Sequence, residues 1–283
     1  LARRQEPFMS VAPADPTQLK QAVRAHWTAE PCGTRQVDGQ SRRDYFDTIQ
    51  RERYELEPFI PQFARFSESK GLRVLEIGVG AGTDHIQWLR NGAVATGVDL
   101  TDAAIALTRE RAELEGLTHD LRQADAERLP FDDNTFDIVY SYGVLHHTPD
   151  TTKSIAEVFR VLKPGGSARL MLYHYPSWTS ILLWGVHCVA KGKIWHGPRW
   201  ATYQFLESPG TKSYTLPELD QLLAAFRDRH YEVVFLGGDL LSYRRSAKYQ
   251  SAFHKAAWKL YPRGLVQKFG KAWGHGTLIE ARK

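Results

Sequence analysis

The stretch Val74-Leu75-Glu76-Ile77-Gly78-Val79-Gly80-Ala81-Gly82-Thr83-Asp84 decides how this chain folds. Leu72–Ile77 is a short apolar run, suited to a buried strand and too short for a helix. It ends in glycines at alternate positions, and glycine permits the positive-φ backbone that a tight strand-to-helix turn demands. Asp84–Asn91 then reads as a helix. The alternation continues outward: strands over Ala93–Leu100, Leu121–Gln123, Phe136–Tyr142 and Ser167–Tyr173, with helices over Asp102–Gly116 and Ile155–Leu162. Pro164-Gly165-Gly166 stops the second of these helices. Farther on, Leu216–His230 predicts an amphipathic helix, Glu232–Leu236 a strand, and Gly276–Ala281 a last strand. Strand and helix in this order predict a parallel sheet with helices on both faces.

On either side of this core the texture differs. Residues 1–16 carry three prolines without apolar periodicity and predict a flexible arm. Residues 17–70 predict a helical cap broken around PCGT and at Pro58 and Pro61. The core is then 71–283, interrupted by insertions at 176–215 and 238–274, the length of segment that builds lids or substrate walls. With 283 residues, 42% hydrophobic and 24% charged, the chain can bury a core, and wholesale disorder is excluded. Two cysteines, Cys32 and Cys188, support neither a disulfide framework nor a four-cysteine zinc site. The opening LARRQEPFMS has no signal-like apolar run, so a cytoplasmic location is the expectation. A start at Leu1 rather than Met is what a chain without its native N-terminus shows.

Glycines at a strand end bring the backbone, and the N–H groups of the following helix, close to a ligand. Asp99 closes the next strand 21 residues after Gly78, where a carboxylate can accept hydrogen bonds from both hydroxyls of a ribose. An adenosine-containing cofactor is implied. The third glycine expected for a dinucleotide is replaced by Thr83, and Glu76 would repel a pyrophosphate but attract a ligand bearing an ammonium and a sulfonium. No G-K-[ST] follows, which excludes a Walker loop.

Four motifs in order, EIGVGAG at 76–82, GVDLT at 97–101, DAERLPF at 125–131 with FDIVYSYGVLHH at 136–147, and RVLKPGG at 160–166, resemble those of the class I S-adenosylmethionine-dependent methyltransferases of small-molecule type. The resemblance implies an α/β, Rossmann-like sheet of seven strands, mostly parallel with the last antiparallel. Helices would lie on both faces, with the N-terminal cap and insertions after strands five and six. It implies S-adenosylmethionine as cofactor and S-adenosylhomocysteine as product. Gly78, Gly80 and Gly82 would line the methionine part, with Glu76 nearby. Asp99 would hold the ribose and Leu100 the adenine face. Asp125 would take the adenine amine beside the Ala126 backbone, and Ser141 and Tyr142 would lie beneath the sulfonium. Arg53 could reach the cofactor carboxylate or form a surface ion pair.

Methyl transfer needs a base only if the acceptor must lose a proton. His146 and His147 follow the fourth strand, at the carboxyl edge where open α/β sheets bind ligands, and histidine suits proton removal near neutral pH. Tyr173 and His174 end the fifth strand at the same edge. No metal is expected: adjacent histidines diverge and no carboxylate partner is evident. Trp178, Trp184, Trp195 and Trp200 in the first insertion suggest an aromatic or partly apolar small molecule as substrate.

The net charge of +5 hides an asymmetry. Residues 1–175 hold 21 basic and 25 acidic side chains, and residues 176–283 hold 16 and 7. The basic third keeps a second reading open, a nucleic-acid-directed methyltransferase. Ile181–Ala190 spans about ten residues, short of the roughly 20 needed to cross a bilayer; it reads as a buried cap helix, with an interfacial helix as the alternative because Lys191 and Lys193 follow, so membrane contact would be peripheral. Oligomeric state is not indicated.

Overall fold

The computed structural model describes residues 15–29, 31, 34, 41–242 and 259–283; most of the arm, Cys32 and part of the second insertion lie outside these. Strand β1 (Arg73–Ile77) is buried at every position after the first, as a central strand covered on both faces must be. It pairs in parallel with β2 (Val94–Asp99) on one side and β4 (Phe136–Tyr142) on the other, Leu75 standing between Thr96 and Val139. Outward lie β3 (Asp120–Gln123) beyond β2, and β5 (Leu162–Tyr173) beyond β4. Strand β7 (Gly276–Arg282) inserts antiparallel between β5 and β6 (Arg227–Val234), giving the seven-stranded order β3-β2-β1-β4-β5-β7-β6. The sheet is thus mostly parallel with its last strand reversed.

Strict alternation along the strands splits the interior into two cores. Leu75, Val139, Leu170, Leu172 and Ile279 face one side, with Ile155 and Val158 of helix α6 (Thr151–Val161). Val74, Ile138, Tyr140, Met171 and Leu278 face the other, with Trp88 of helix α4 (Thr83–Arg90) and Phe66. Helix α5 (Asp102–Leu114) starts on Thr101, whose hydroxyl accepts from Ala104 N–H.

The cap contains α1 (Pro16–Ala29), α2 (Arg42–Leu56) and α3 (Ile60–Ala64); the chain breaks at Pro58, whereas Pro61 sits in the first turn of α3, where a missing N–H costs nothing, and most of the PCGT break lies outside the described residues. After β5 come α7 (Trp178–His187) and α8 (Pro198–Phe205), which pack together as a hairpin, then α9 (Leu216–Leu222). Helix α10 (Arg263–Phe269) precedes β7. No helix of the described residues is long and apolar enough to cross a membrane.

Two boundaries differ from the sequence reading. Helix α9, launched by the Thr215/Glu218 capping box, ends at Leu222 instead of running to His230. Residues 227–234 instead pair with β7, Tyr231 opposite Ile279, and the ladder prevails over helical propensity. Strand β5 begins at Leu162, not Ser167: Pro164-Gly165-Gly166 forms an irregularity within it, with Gly165 at φ +79°.

Phe226 turns the chain from α9 into β6, fully buried and edge-on to Phe159 at 5.1 Å. Phe226→Ala is expected to cost about 3–5 kcal/mol of stability, read from the urea unfolding midpoint, because the packed site cannot collapse around the lost ring.

Candidate active site

The turn after β1 takes positive φ at Gly78, Gly80 and Gly82, at 85°, 54° and 73°. Space forbids a side chain as firmly as the backbone does. A Cβ on Gly78 would sit 2.2 Å from Val144 Cγ2, and one on Gly82 would sit 2.9 Å from Thr108 Cγ2. The approach of Val144 carries the loop after β4 directly against the glycine turn.

Asp99 closes β2 beside this turn. Its Oδ2 accepts from Gly80 N–H at 3.2 Å, and its Oδ1 accepts from the N–H and hydroxyl of Thr101, both at 2.9 Å. Burial raises its pKa against the pull of these donors. A carboxylate has about four acceptor positions, so capacity remains for ribose hydroxyls. Leu100 is half-buried next to it.

Glu76 is buried, its Oε2 3.2 Å from His85 Nδ1. Burial and Asp84 push its carboxyl well above the ordinary range, with Arg53 opposing. Burial, with His119, holds His85 down to about 4. His85 is therefore neutral at pH 7, and the Glu76 carboxyl beside it is driven toward its protonated form. A cation arriving beside Glu76 would restore its charge.

Arg53 forms a buried pair. Its Nη2 and Nε donate to Asp84 at 2.7 and 3.2 Å, and the guanidinium lies 4.9 Å over the Tyr142 ring. Tyr54 and Tyr140 also donate to Asp84, at 3.0 and 2.9 Å. Ser141 lies buried, its hydroxyl donating to the Ile77 carbonyl at 3.0 Å. Asp125 Oδ2 accepts from Lys20 of α1 at 2.6 Å and Oδ1 from Glu127 N–H at 2.9 Å, with Ala126 buried beside it. The structure thus gathers Glu76, the glycines and Asp99 at the carboxyl ends of β1 and β2, and stations Asp125 under the cap.

The acceptor side centres on Tyr173. His146 stacks on its ring at 3.8 Å and His275 lies at 4.3 Å. His146 is wholly buried, and neither ring nitrogen has a hydrogen-bond partner among the described residues. Burial, then His147 and His275, keep it neutral, its pKa well below the usual value. His147 Nδ1 meets Ser208 Oγ at 2.9 Å and Thr211 Oγ1 at 3.1 Å, and its Nε2 lies 3.4 Å from Glu207 Oε2. Tyr173 donates to the same Glu207 oxygen at 2.8 Å. Burial pushes the Glu207 carboxyl up, but His147 and Tyr173 outweigh it and leave the pKa below the ordinary value. Glu207 keeps 38% of its side chain accessible, against 5% for His147. His174 stands apart, its Nδ1 on the Gly274 carbonyl at 3.0 Å. Among the described residues no cluster could hold a metal ion.

Sequence reasoning missed Glu207, His275 and Trp27, whose ring lies 5.3 Å from His147. Pairing β5 with β7 would have found His275, since Gly276 stands opposite Tyr173. Glu207 sits in an irregular segment at φ +49°, with no periodic signal to flag it.

Sheet order, glycine turn and acidic strand end are together those of the Rossmann-like methyltransferase fold. The family described as "Methyltransferase domain" matches residues 75–170, so the chain carries a domain of that kind. It is similar to a phthiotriol/phenolphthiotriol dimycocerosates methyltransferase of Mycobacterium ulcerans, 36% identical over 135 residues, 47% of this chain and 45% of that one. It is also similar to the ubiquinone/menaquinone biosynthesis C-methyltransferase UbiE of Idiomarina loihiensis, 38% identical over 112 residues, 38% of this chain and 45% of the other. Each match spans less than half the relative's length. A solved S-adenosylmethionine-dependent methyltransferase from Mesorhizobium loti shares the fold at 20% identity and a TM-score of 0.54, over 80% of this chain and 97% of that one.

Asp99→Ala is expected to weaken S-adenosylmethionine binding about ten- to a hundredfold by calorimetry, from the roughly 1.5–3 kcal/mol of a hydrogen bond to a charged group. Glu76→Gln separates stability from binding. A carboxyl whose folded pKa is raised contributes stability below its unfolded value, about 4.5, and loses that contribution as pH rises through the folded value. Glutamine keeps the neutral form, so the variant should unfold at higher urea than wild type at pH 8, the gap closing near pH 4.5. Its cofactor affinity should fall. Equal midpoints at pH 8 would contradict a neutral Glu76.

Proposed function

We propose that this chain transfers a methyl group from S-adenosylmethionine to a small-molecule acceptor, aromatic or partly apolar, that gives up a proton in the reaction. The glycine turn, a cradle that any Cβ at Gly78 or Gly82 would fill, and the spare acceptor capacity of Asp99 fit that cofactor. Glu76, Gly78, Gly80 and Gly82 would hold its methionine part, Asp99 and Leu100 its ribose and adenine, and Asp125 and Ala126 the adenine edge. Ser141 and Tyr142 would floor the reacting centre. When bound, S-adenosylmethionine supplies an electrophilic methyl on a sulfonium.

The observation that carries the reading is Glu207, whose carboxylate is fixed by Tyr173 and His147 and whose side chain keeps 38% of its surface accessible. Glu207 receives the proton of the acceptor's O–H, or of an activated C–H. The freed electron pair would be available to take up the methyl group that the bound cofactor would supply, the sulfur of the cofactor keeping the electrons of the bond it loses. Tyr173 and His147 position the carboxylate. In the tautomer where Ser208 donates to Nδ1, the His147 Nε2–H faces Glu207. His146 and His275 wall the site in neutral form, which keeps their charge away from a cationic cofactor. The relatives' names, a lipid methyltransferase and a quinone C-methyltransferase, support an acceptor of this kind.

Incubating the protein with methyl-labelled S-adenosylmethionine and cell extract should place label in organic-extractable small molecules; label in RNA or protein alone would overturn the reading. Glu207→Gln should lower turnover by about 10²- to 10⁴-fold with cofactor affinity kept. With Glu207 as the base, any acid limb of the kcat/KM profile lies below about 4.5 and disappears in Glu207→Gln.

A further inference from the structure

Two exposed apolar patches lie at the ends of α7, outside the site just described. One is the turn between α7 and α8, where Ile194 is 64% and Trp195 72% exposed, with Val189 beside them. Lys191 and Lys193 are exposed in the same turn, and residues 188–196, CVAKGKIWH, contain no carboxylate. Hydrogen bonding builds this tip. Gly192 N–H donates to the Val189 carbonyl at 3.0 Å, Lys193 N–H to the Cys188 carbonyl at 2.9 Å, and Trp184 Nε1 to the His196 carbonyl. The His196 ring stacks on Trp200 at 3.8 Å. Ile194 and Trp195 are therefore displayed by an ordered turn.

The second patch surrounds α10. Leu260 is 80% and Leu265 63% exposed, with Trp273 close by in sequence. Residues 259–273 carry Lys259, Arg263, Lys268 and Lys271 and no acidic side chain. Trp178, the first residue of α7, joins the patches: its ring lies 5.7 Å from that of Trp273, and its Nε1 donates to the Gly270 carbonyl at 3.3 Å. Ten residues of α7 span about 15 Å, with one patch at each end.

Lys271 pairs with Glu232 of β6 at 3.1 Å, and the other cations of the two segments have no acid within their own stretch of sequence. Aliphatic and indole side chains displayed among an excess of cations match a partner that is apolar inside and anionic outside. Lysine stems let their ammonium groups reach headgroups while isoleucine and tryptophan enter the acyl boundary. Protein interfaces deplete lysine at their core, and single-stranded nucleic acids engage aromatic rings but have no use for exposed leucine or isoleucine. We infer that the α7–α8 tip and the α10 patch form a docking surface for an anionic lipid bilayer. This goes beyond the proposed methyl transfer and does not depend on the acceptor's identity.

Co-sedimentation of the full chain with extruded vesicles tests it. Binding is expected to vesicles of equal parts phosphatidylcholine and phosphatidylglycerol, weakening with salt, with far less to phosphatidylcholine alone. Ile194→Glu with Trp195→Glu should lower the partition about tenfold or more, and Leu260→Glu with Leu265→Glu should lower it too. Thermal midpoint and calorimetric cofactor affinity should not change. If either pair unfolds, Lys191→Glu with Lys193→Glu reads the electrostatic part alone and should also reduce binding. No vesicle binding by wild type, equal binding by the folded variants, or a lipid-free dimer abolished by the same substitutions would overturn the inference. Turnover assayed on detergent-dispersed acceptor stays unaffected by any of these results, which keeps the two proposals separable.

Discussion

Val144 packs where a side chain on Gly78 would have been. That close approach joins the two halves of the site. The turn after β1 frames the cofactor, the loop after β4 brings in His146 and His147, and the absence of one Cβ lets them touch. A methyl group at Gly78 would meet both a forbidden φ and a 2.2 Å contact, so the two loops could not share this edge of the sheet. Everything upstream serves to hold those two strand ends level. Leu75 is registered between Thr96 and Val139, and the alternating strand residues lock the register from two cores.

The fold and the grouping of Glu76, the glycines and Asp99 at the ends of β1 and β2 were legible for the same reason. Both are written in local patterns: apolar runs of strand length, glycines at a strand end, a carboxylate at the end of the next strand. The acceptor half is written in contacts between distant segments. Glu207 reaches Tyr173 across 34 residues and His147 across 60, from an irregular loop with no periodicity to read. The length of α9 was illegible in the same sense. Residues 223–230 have helical texture, and only the presence of β7 as an open partner turns their second half into strand.

Burial of charge follows one rule throughout the site. Asp84, buried, is matched by Arg53 and by the hydroxyls of Tyr54 and Tyr140. Glu76, equally buried, has only the neutral His85 beside it and is driven toward its protonated form. The contrast assigns different work to two neighbouring carboxyls. The Asp84 cluster is satisfied internally and ties α2 to the start of α4. Glu76 is held in reserve, electrostatically incomplete until a cation occupies the glycine turn. Removing one partner of the Asp84 cluster leaves a buried charge stranded, a heavier loss than any surface pair could cause.

Helix α1 shows why the acidic half of the chain is not simply a cation-binding surface. Lys20 reaches Asp125 and Glu127, and Arg24 reaches Asp102, so the cap neutralises acids around the adenine side. Exposed pairs of this kind contribute little stability each. The docking of α1 rests more on apolar contact: Leu19 and Val23 are buried, and Leu19 fills the space above Gly210, where a Cβ would lie 2.8 Å from its Cδ1. Gly210 belongs to the same loop as Glu207, Ser208 and Thr211, and farther along α1 the Trp27 ring leans on His147. One helix therefore touches Asp125, the loop bearing Glu207, and the histidine that contacts Glu207. In the C-terminal third, with 16 basic and 7 acidic side chains, acids answer individual cations instead: Glu218 pairs with Arg199, Asp220 with Arg229 and Glu232 with Lys271.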